Sequence, residues 1–495
     1  MGGAEGNEWV PPIVASRLHA PGRPPAGHRP RVASGLARLD LAAQSRPALT
    51  EGDLARLLAT GLRPDGRALS PLMPRYDLDA PALAALRAYL RDLDRQFDAT
   101  PPKELHLATV VADTAAAPAR EQVTRLLQDC LRPGEVLTPT WRLHVWTVGG
   151  PPSSWEQQLQ DLQARQPVFA LVSGPSPDAW TPVQRWCEQQ HLPCVLPVTG
   201  SFDPALPSDW SLHFSRGVAL EASLVEEDLR HRPDQQTVDV DGSPTLPPAP
   251  VARPARLLQL LDHSEAAQIG ARVLQERLAG TPWRSEQALV LPDTSLNNLQ
   301  RRWLELQPGD ALVLWLDAAA RSRLERLPPP AAGVTVYLSA ERAGPEKLQL
   351  PAAWTAHLRV PYGYEAPERR VLRQLGNLGP WRSRLIGSDP ELIRLAGHSL
   401  AACEMTGRAL RQMGRNPSRL WFMELLEAGE EAAVATAFPR FTLGPGQRVG
   451  SRGGLMLSLQ PGSSTAPPLL QPLGDWRLPD WSDVEPARPR LADPH

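Results

Sequence analysis

The sequence predicts an α/β protein: two doubly wound, Rossmann-like lobes preceded by a small all-α segment. Three patterns carry that expectation. From residue 104 short apolar runs alternate with stretches of helical spacing, the signature of βαβ units and parallel sheets. The alternation stops at residues 232–254, a Pro/Asp/Gln segment with almost no large apolar side chain, and then resumes. Residues 50–94, by contrast, show helical spacing alone.

Taken in order, residues 11–30 are rich in Pro, Gly, His and Arg and have no period. A helix is expected from Thr50, because Asp53 three residues on completes a capping-box-like start and Leu54, Leu57 and Leu58 share a face. Gly61 and Pro64-Asp65-Gly66 break it. Asp79 ahead of Pro81 then starts a second helix, whose apolar face is Leu83, Leu86, Tyr89, Leu90 and Leu93. Residues 98–103 read as a linker. Strands are expected at 105–111, 143–148, 168–172 and 194–198, with helices near 117–131, 154–165 and 179–190 between them. Beyond the Pro-rich segment, strands fall at 256–261, 287–291, 311–316 and 334–338, with helices near 264–279, 294–305 and 317–326. The tail beyond residue 461 is Pro-rich, with Trp476 and Trp481 suited to an extended arm packed on the body. The expected domains are therefore 1–97, then 104–231 for the first lobe, 232–254 as linker or insertion, 255–460 for the second lobe and return segments, and 461–495 as the arm.

Bulk composition narrows the function classes. The chain has 495 residues, 42% of them hydrophobic, which suits two to four domains with sizeable cores. A formal net charge of −2 excludes the polybasic signature of nucleic-acid or anionic-membrane binding. The 55 prolines belong in linkers and turns, since they break helix and sheet interiors. No run of 18 apolar residues is present, so no transmembrane segment is expected, and Met1-Gly2-Gly3-Ala4-Glu5-Gly6 is not a signal peptide. Taken literally, with Met1 as the true start, the chain is a soluble cytoplasmic protein.

Chemistry-bearing motifs are few. Cys187, His191 and Cys194 form a Cys-x3-His-x2-Cys triplet. It reads as a Cys187–Cys194 disulfide between helix end and strand start, or as two buried thiols; a zinc site would want a fourth ligand. Cys130 and Cys403 read as inert thiols on helices. His19 and His28 lie in the irregular stretch without metal spacing and read as loop histidines. Gly444-Pro445-Gly446-Gln447-Arg448 lacks the Lys-Ser/Thr of a phosphate loop and reads as a turn. No Ser-His-Asp arrangement, nucleophile elbow or HExxH occurs, so nothing points to an enzyme.

The body resembles a known fold. Phe169-Ala170-Leu171-Val172-Ser173-Gly174 followed by Trp180-Thr181-Pro182-Val183, then Trp186-Cys187-Glu188 through Leu192-Pro193-Cys194-Val195-Leu196-Pro197, and Phe214-Ser215-Arg216-Gly217-Val218-Ala219-Leu220-Glu221-Ala222 are similar to successive units of the type 1 periplasmic binding fold. That fold is the branched-chain amino-acid class of ABC-transporter receptor. Phe438-Pro439-Arg440-Phe441-Thr442-Leu443 also resembles a signature of the group. The resemblance implies a small-molecule ligand held in the crevice at the strand ends, by hydroxyls, backbone N–H groups and helix N-termini. The candidates are Asp113, Thr114, Ser173, Gly174, Thr199 with Gly200, and Ser339 from the second lobe. The same residues serve equally well as caps of the helices that follow.

The N-terminal segment resembles part of a c-type cytochrome. Leu72-Met73-Pro74-Arg75-Tyr76-Asp77-Leu78 ahead of a helix carrying Ala88-Tyr89-Leu90 looks like the Met-Pro loop and closing helix that cover a haem. A proteobacterial group fuses such a domain to a receptor-like body, and in it Cys-x-x-Cys-His stands shortly before Gly-Gly-x-Glu-Gly and Val-Pro-Pro. Here Gly2-Gly3-Ala4-Glu5-Gly6 and Val10-Pro11-Pro12 open the chain and the first cysteine is Cys130. The resemblance implies that Met1 is an internal methionine, that the full-length relatives carry haem c, and that Met73 is the axial ligand to its iron. It implies a periplasmic location and a periplasmic redox partner. Two functions follow: electron transfer by a cytochrome fused to a substrate-binding body, or a soluble substrate-binding protein of ABC-receptor type for a small polar ligand, with a vestigial cytochrome part.

Overall fold

The computed structural model describes residues 3–5, 8–10, 18–19, 47–69, 73–97, 104–131, 140–231, 254–346, 348, 351–355, 358–365, 367–385, 388–413, 417–428, 436–444, 446–460 and 469–481. The chain forms two compact units, Met1–Pro102 with Met413–Trp421, and Lys103–Gln412 with Phe422–His495.

In the first unit β1 (Gly3–Glu5) and β2 (Glu8–Val10) form an antiparallel ladder, with Ala4 opposite Trp9. The segment is therefore not all-α as expected: Trp9 and Val10 favour a pleated ladder, and helical periodicity begins only at Thr50. Helix α1 (Glu51–Thr60) starts as the sequence indicates, with the Thr50 hydroxyl accepting from Asp53 N–H and the Asp53 carboxylate accepting from Thr50 N–H. Gly61 ends it in the left-handed conformation. In α2 (Ala80–Phe97) the Asp79 carboxylate caps Ala82 N–H at 2.8 Å. Leu54, Leu57, Leu58 and Leu90 bury one small core, joined by Leu18 and Leu49, while Tyr89, expected on that face, is exposed.

The second unit holds two sheets. From residue 104 the order is β3 (Glu104–Ala112), α3 (Ala117–Cys130), β4 (Thr140–Val148), α4 (Trp155–Arg165), β5 (Ala170–Val172), α5 (Thr181–Gln189), β6 (Cys194–Val195), β7 (Ser211–Ser215) and α6 (Gly217–Arg230). There follow β8 (Arg256–Leu261), α7 (Glu265–Arg277), β9 (Arg284–Leu289), α8 (Leu296–Leu304), β10 (Ala311–Trp315), α9 (Ala318–Leu324), β11 (Thr335–Leu338) and the single turn α10 (Ala340–Ala343). The return segments are α11 (Ala352–Thr355), β12 (Leu358–Tyr362), α12 (Pro367–Asn377), α13 (Arg382–Leu385), α14 (Pro390–Met413), α15 (Arg419–Glu427), β13 (Val449–Ser451), β14 (Leu455–Gln460) and β15 (Leu469–Pro472).

The first sheet has the order β13-β7-β6-β5-β3-β4, and every pairing in it is parallel. The second has the order β15-β14-β12-β11-β10-β8-β9, parallel from β9 to β12 and antiparallel at β14 and β15. Parallel strands are covered on both faces, which is why β10 reads as an unbroken apolar run and is buried throughout. The chain thus crosses between the sheets after α6, returns through β13 to the first, and ends in the second. Segment 232–253, expected as a linker, lies outside the described residues. Of the C-terminal arm, Trp481 is buried, with the Arg216 guanidinium 4.4 Å above its ring.

Two glycines are fixed by close approach. Gly174 has φ 113°, and a Cβ there would meet the Val110 carbonyl oxygen at 2.1 Å; Gly217 has φ 48°, and a Cβ would lie 2.2 Å from the Gly200 carbonyl oxygen. Both contacts are with backbone, which cannot swing aside.

Candidate functional site

Loops at the carboxyl ends of both sheets enclose a cavity of about 290 Å³. The first sheet supplies Ala115 and Ala116 after β3, Pro175 to Asp178 after β5, Pro197 to Gly200 after β6, and Phe214 at the end of β7. Its second wall holds Asp317 after β10, Glu341 and Arg342 in α10, and Tyr364 beyond β12, while α14 adds Glu391, Arg394 and His398. This is where doubly wound sheets bind ligands, because loops from successive strands splay apart there.

Arg342 ties the two walls together. Its side chain is 5% exposed; Nε and Nη2 donate to Asp262 at 3.2 and 2.8 Å on its own sheet, and Nη1 reaches the Pro177 carbonyl and Asp178 carboxylate at 3.2 and 3.3 Å on the other. Burial pushes the Asp262 carboxyl up, but the Arg342 charge and the Ser264 hydrogen bonds overcome it and hold the group below its ordinary range. A second tie runs the other way. The Glu265 carboxylate accepts from Trp180 and Thr181 N–H at 3.2 and 2.9 Å, filling the N-terminus of α5.

Arg394 is held by Glu346 at 3.1 Å, and Glu346 also pairs with the buried Arg370 at 2.8 Å. Beside it, the Tyr364 hydroxyl donates to Glu341 at 2.6 Å. Glu341 N–H in turn donates to Glu221 at 2.8 Å, and the other Glu221 oxygen meets the Ser339 hydroxyl. Burial, then the neighbouring Glu341 charge, push the Glu221 carboxyl well above its ordinary value. A raised folded-state value stabilises fully below the unfolded value of 4.5 and is lost as pH rises through the folded one. Glu221→Gln keeps the bond from Glu341 N–H and reverses the one with Ser339, its amide donating to the hydroxyl oxygen without a titrating proton. Denaturant titrations should therefore show the variant gaining on the wild type as pH rises above 4.5, by about 1.4 kcal/mol for each pH unit until the carboxyl ionises in the fold. Parallel stability curves across that range would show that Glu221 is ionised in the fold.

A column of near-parallel rings closes the inner end. Phe214 stacks on His398 at 4.6 Å between centroids, His398 on Phe438 at 5.2 Å, and Phe438 on Tyr364 at 5.0 Å. His398 is 2% exposed, and burial with the Arg394, Arg370 and Arg373 charges drives its pKa well down, so the ring is neutral. Its Nε2 accepts from Ala437 N–H at 3.2 Å, which places the proton on Nδ1.

The residues singled out from sequence divide. Thr199 and Gly200 line the cavity. Asp113 accepts from Gly150 N–H, Thr114 is exposed, and neither is on the wall. Ser173 is buried with its hydroxyl 3.2 Å from that of Ser399, Gly174 is packed on the Val110 carbonyl, and Ser339 caps α10. Of the loops after strands, the one carrying Thr199 and Gly200 reaches this cavity; Glu341, Arg342, Tyr364, Arg394 and His398, whose partners are remote in sequence, were not singled out. The signal available was the density of charge beside apolar strand ends.

Cys187 and Cys194 take the second of their two readings, buried thiols outside any disulfide, while Cys130 of α3 and Cys403 of α14, expected as inert thiols, are joined by a disulfide with Cα atoms 6.4 Å apart. Cys187 and Cys194 point into the core of the first sheet with Trp146, Trp186 and Leu192, where they act as small apolar side chains. No cluster of three or more His, Cys, Asp and Glu residues suited to a metal occurs among the described residues.

Met73 packs against the Leu54, Leu57, Leu58 and Leu90 core of the first unit, and Arg75 donates to its carbonyl. His19 is exposed, its Nδ1 2.5 Å from the Leu49 carbonyl; His28 lies outside the described residues. This donor set does not fit a covalently held haem c. Thioether attachment needs two thiols in a Cys-x-x-Cys-His run, and the cysteines at 130, 187, 194 and 403 form none.

The sequence matches no family profile and no curated protein. Solved structures do match. A leucine-binding protein from Thermotoga maritima MSB8 aligns with TM-score 0.52 at 11% identity, covering 74% of this chain and 97% of its own. A branched-chain amino acid ABC transporter protein from Thermus thermophilus with bound valine gives 0.53 at 10% identity, covering 76% and 96%. A solute-binding protein of an ABC transporter from Rhodopseudomonas palustris BisB5, in complex with 3,4-dihydroxybenzoic acid, gives 0.50 at 11%, covering 75% and 97%. At such identities the likeness is one of fold, and the two-sheet body of this chain has the type 1 periplasmic binding fold.

Proposed function

We propose that this chain is a substrate-binding protein of the ABC-receptor type, which captures a small polar molecule between its two sheets. The observation that carries the reading is the cavity of about 290 Å³, walled by loops from the carboxyl ends of both sheets and lined by charged and aromatic side chains. The structural neighbours that carry valine or dihydroxybenzoate support a ligand of that size. Binding would work by stabilising the closed arrangement, since a ligand touching both walls adds to the Arg342 and Glu265 ties. No catalytic step is needed for this role.

The Cys130–Cys403 disulfide supports a periplasmic or otherwise oxidising location, where such bonds persist. Electron transfer, the other reading of the sequence, draws no support from the fold. The test is a metabolite screen by thermal shift, followed by calorimetry. One class of small molecule should raise Tm and bind with one-to-one stoichiometry, and Gly200→Trp, which fills the cavity, should abolish the shift. If no small molecule shifts Tm, and mass spectrometry of the native protein finds none bound, the receptor reading fails.

A further inference from the structure

We infer that the cavity selects ligands carrying an organic ammonium on a flat body, and rejects bare carboxylates, through Glu341 and the ring column of Phe214, His398, Phe438 and Tyr364. This rests on the reading of the cleft as a ligand site. The first ground is that the two guanidinium groups on the wall are already taken: Arg342 by Asp262 and Asp178, Arg394 by Glu346. A site for an anion presents an arginine fork to the ligand; here a ligand carboxylate would have to displace a buried carboxylate of the protein. The second ground is the balance of charge. Asp178, Asp317, Glu341 and Glu391 line the cavity against Arg342 and Arg394, four carboxylates to two guanidiniums, and the neutral His398 adds no cation. Carboxylates thus predominate in the lining.

The third ground is geometry. One oxygen of Glu341 is fixed by the Tyr364 hydroxyl. The other approaches the opposite wall, where a Cβ on Gly200 would lie 3.0 Å from Glu341 Oε2, so the absent side chain at Gly200 leaves that oxygen room. An ammonium there would touch both walls. The four rings of the column line the cavity beside it, and a flat body would pack against them. Finally, His398 is 98% removed from solvent and uses Nε2 for Ala437, and no acceptor among the described residues meets its Nδ1–H. That donor calls for a neutral oxygen on the ligand, a hydroxyl or carbonyl.

Tyramine carries all three features, 4-hydroxyphenylacetate replaces the ammonium with a carboxylate on the same ring, and tyrosine carries both charges. The uncapped N-terminus of α3 opens on the cavity beside Ala116, so the zwitterion is a necessary third probe. Calorimetry on the full chain at pH 7.5 should show tyramine binding, the carboxylate not binding, and tyrosine binding only alongside tyramine. Glu341→Gln should weaken tyramine on the order of 10- to 100-fold, the worth of a charge-assisted hydrogen bond; the matched pair on the unsubstituted protein carries the test if that variant does not fold. If 4-hydroxyphenylacetate or tyrosine binds while tyramine does not, the ammonium requirement is overturned and the cleft remains a ligand site. If none of the three binds, the requirement is overturned as well, and the metabolite screen alone decides whether the cleft binds anything.

Discussion

Replacing Arg342 by methionine should cost about 3–5 kcal/mol of unfolding free energy at pH 7, the usual consequence of removing one partner from a buried ion pair. Asp262 is 2% exposed and would keep only the hydrogen bonds from Ser264 and from Asp317 N–H. The contacts to Pro177 and Asp178, which join the two sheets, would go with it. The sign of the pH dependence follows from Asp262. Its folded pKa lies below 3.8, so its contribution is present above that value and lost as pH falls through the folded one. Urea titrations should therefore show the widest gap between wild type and variant above pH 5, narrowing toward pH 3. Arg342→Lys should recover less than half of the loss, because a single ammonium cannot serve Asp262 and Pro177 from one fork. A loss under 1 kcal/mol for the methionine variant would mean that the sheets are held together without this pair.

Most of the body was legible because burial leaves a simple trace. Strand β10 is an apolar run and β8 one interrupted by Gln259, since parallel strands are covered on both faces, and both fall where the sequence places them. Strand β6 is shorter than the run 194–198 implies: only Cys194 and Val195 join the ladder, for Leu196 turns to φ 52° and Pro197 has no N–H to donate. The path beyond Ala340 was not legible. Strand β13 is three residues long and pairs with β7, more than two hundred residues earlier, and so short a segment has no period to read.

The candidate site shows the same division. Loop ends are local, so Thr199 and Gly200 were found. The chemistry is non-local: Arg342 lies 80 residues from Asp262 and 165 from Pro177, and nothing in the four-residue helix Ala340–Ala343 announces those partners. Ser339 looked like a ligand hydroxyl and is a cap because a single-turn helix must satisfy its N–H groups locally. The cysteines repeat the lesson. A spacing of seven residues made Cys187 and Cys194 look like a pair, whereas the bond formed spans a sequence separation of 273.

That bond carries the second large effect. Replacing Cys130 and Cys403 together by serine should lower unfolding free energy by about 2–4 kcal/mol, because the long closed loop is released in the unfolded chain. The consequence for the cleft follows from where Cys403 sits. Helix α14 presents Arg394 and His398 to the cavity from one side, and Cys403 fastens the same helix to α3. Loosening it should let the ring column and the Glu346 pair shift, so ligand affinity should fall in the doubly substituted protein even at temperatures where it remains folded. Thiol titration separates this from a general loss of packing. Of the 4 cysteines, two should react in denatured, unreduced protein from an oxidising compartment, and all four after reduction. Four reactive thiols before reduction would remove both the clamp and the argument for an oxidising location. Two thiols with unchanged ligand affinity in the serine variant would instead show that α14 is held by its own contacts, Ser173 with Ser399 and Phe214 with His398 among them.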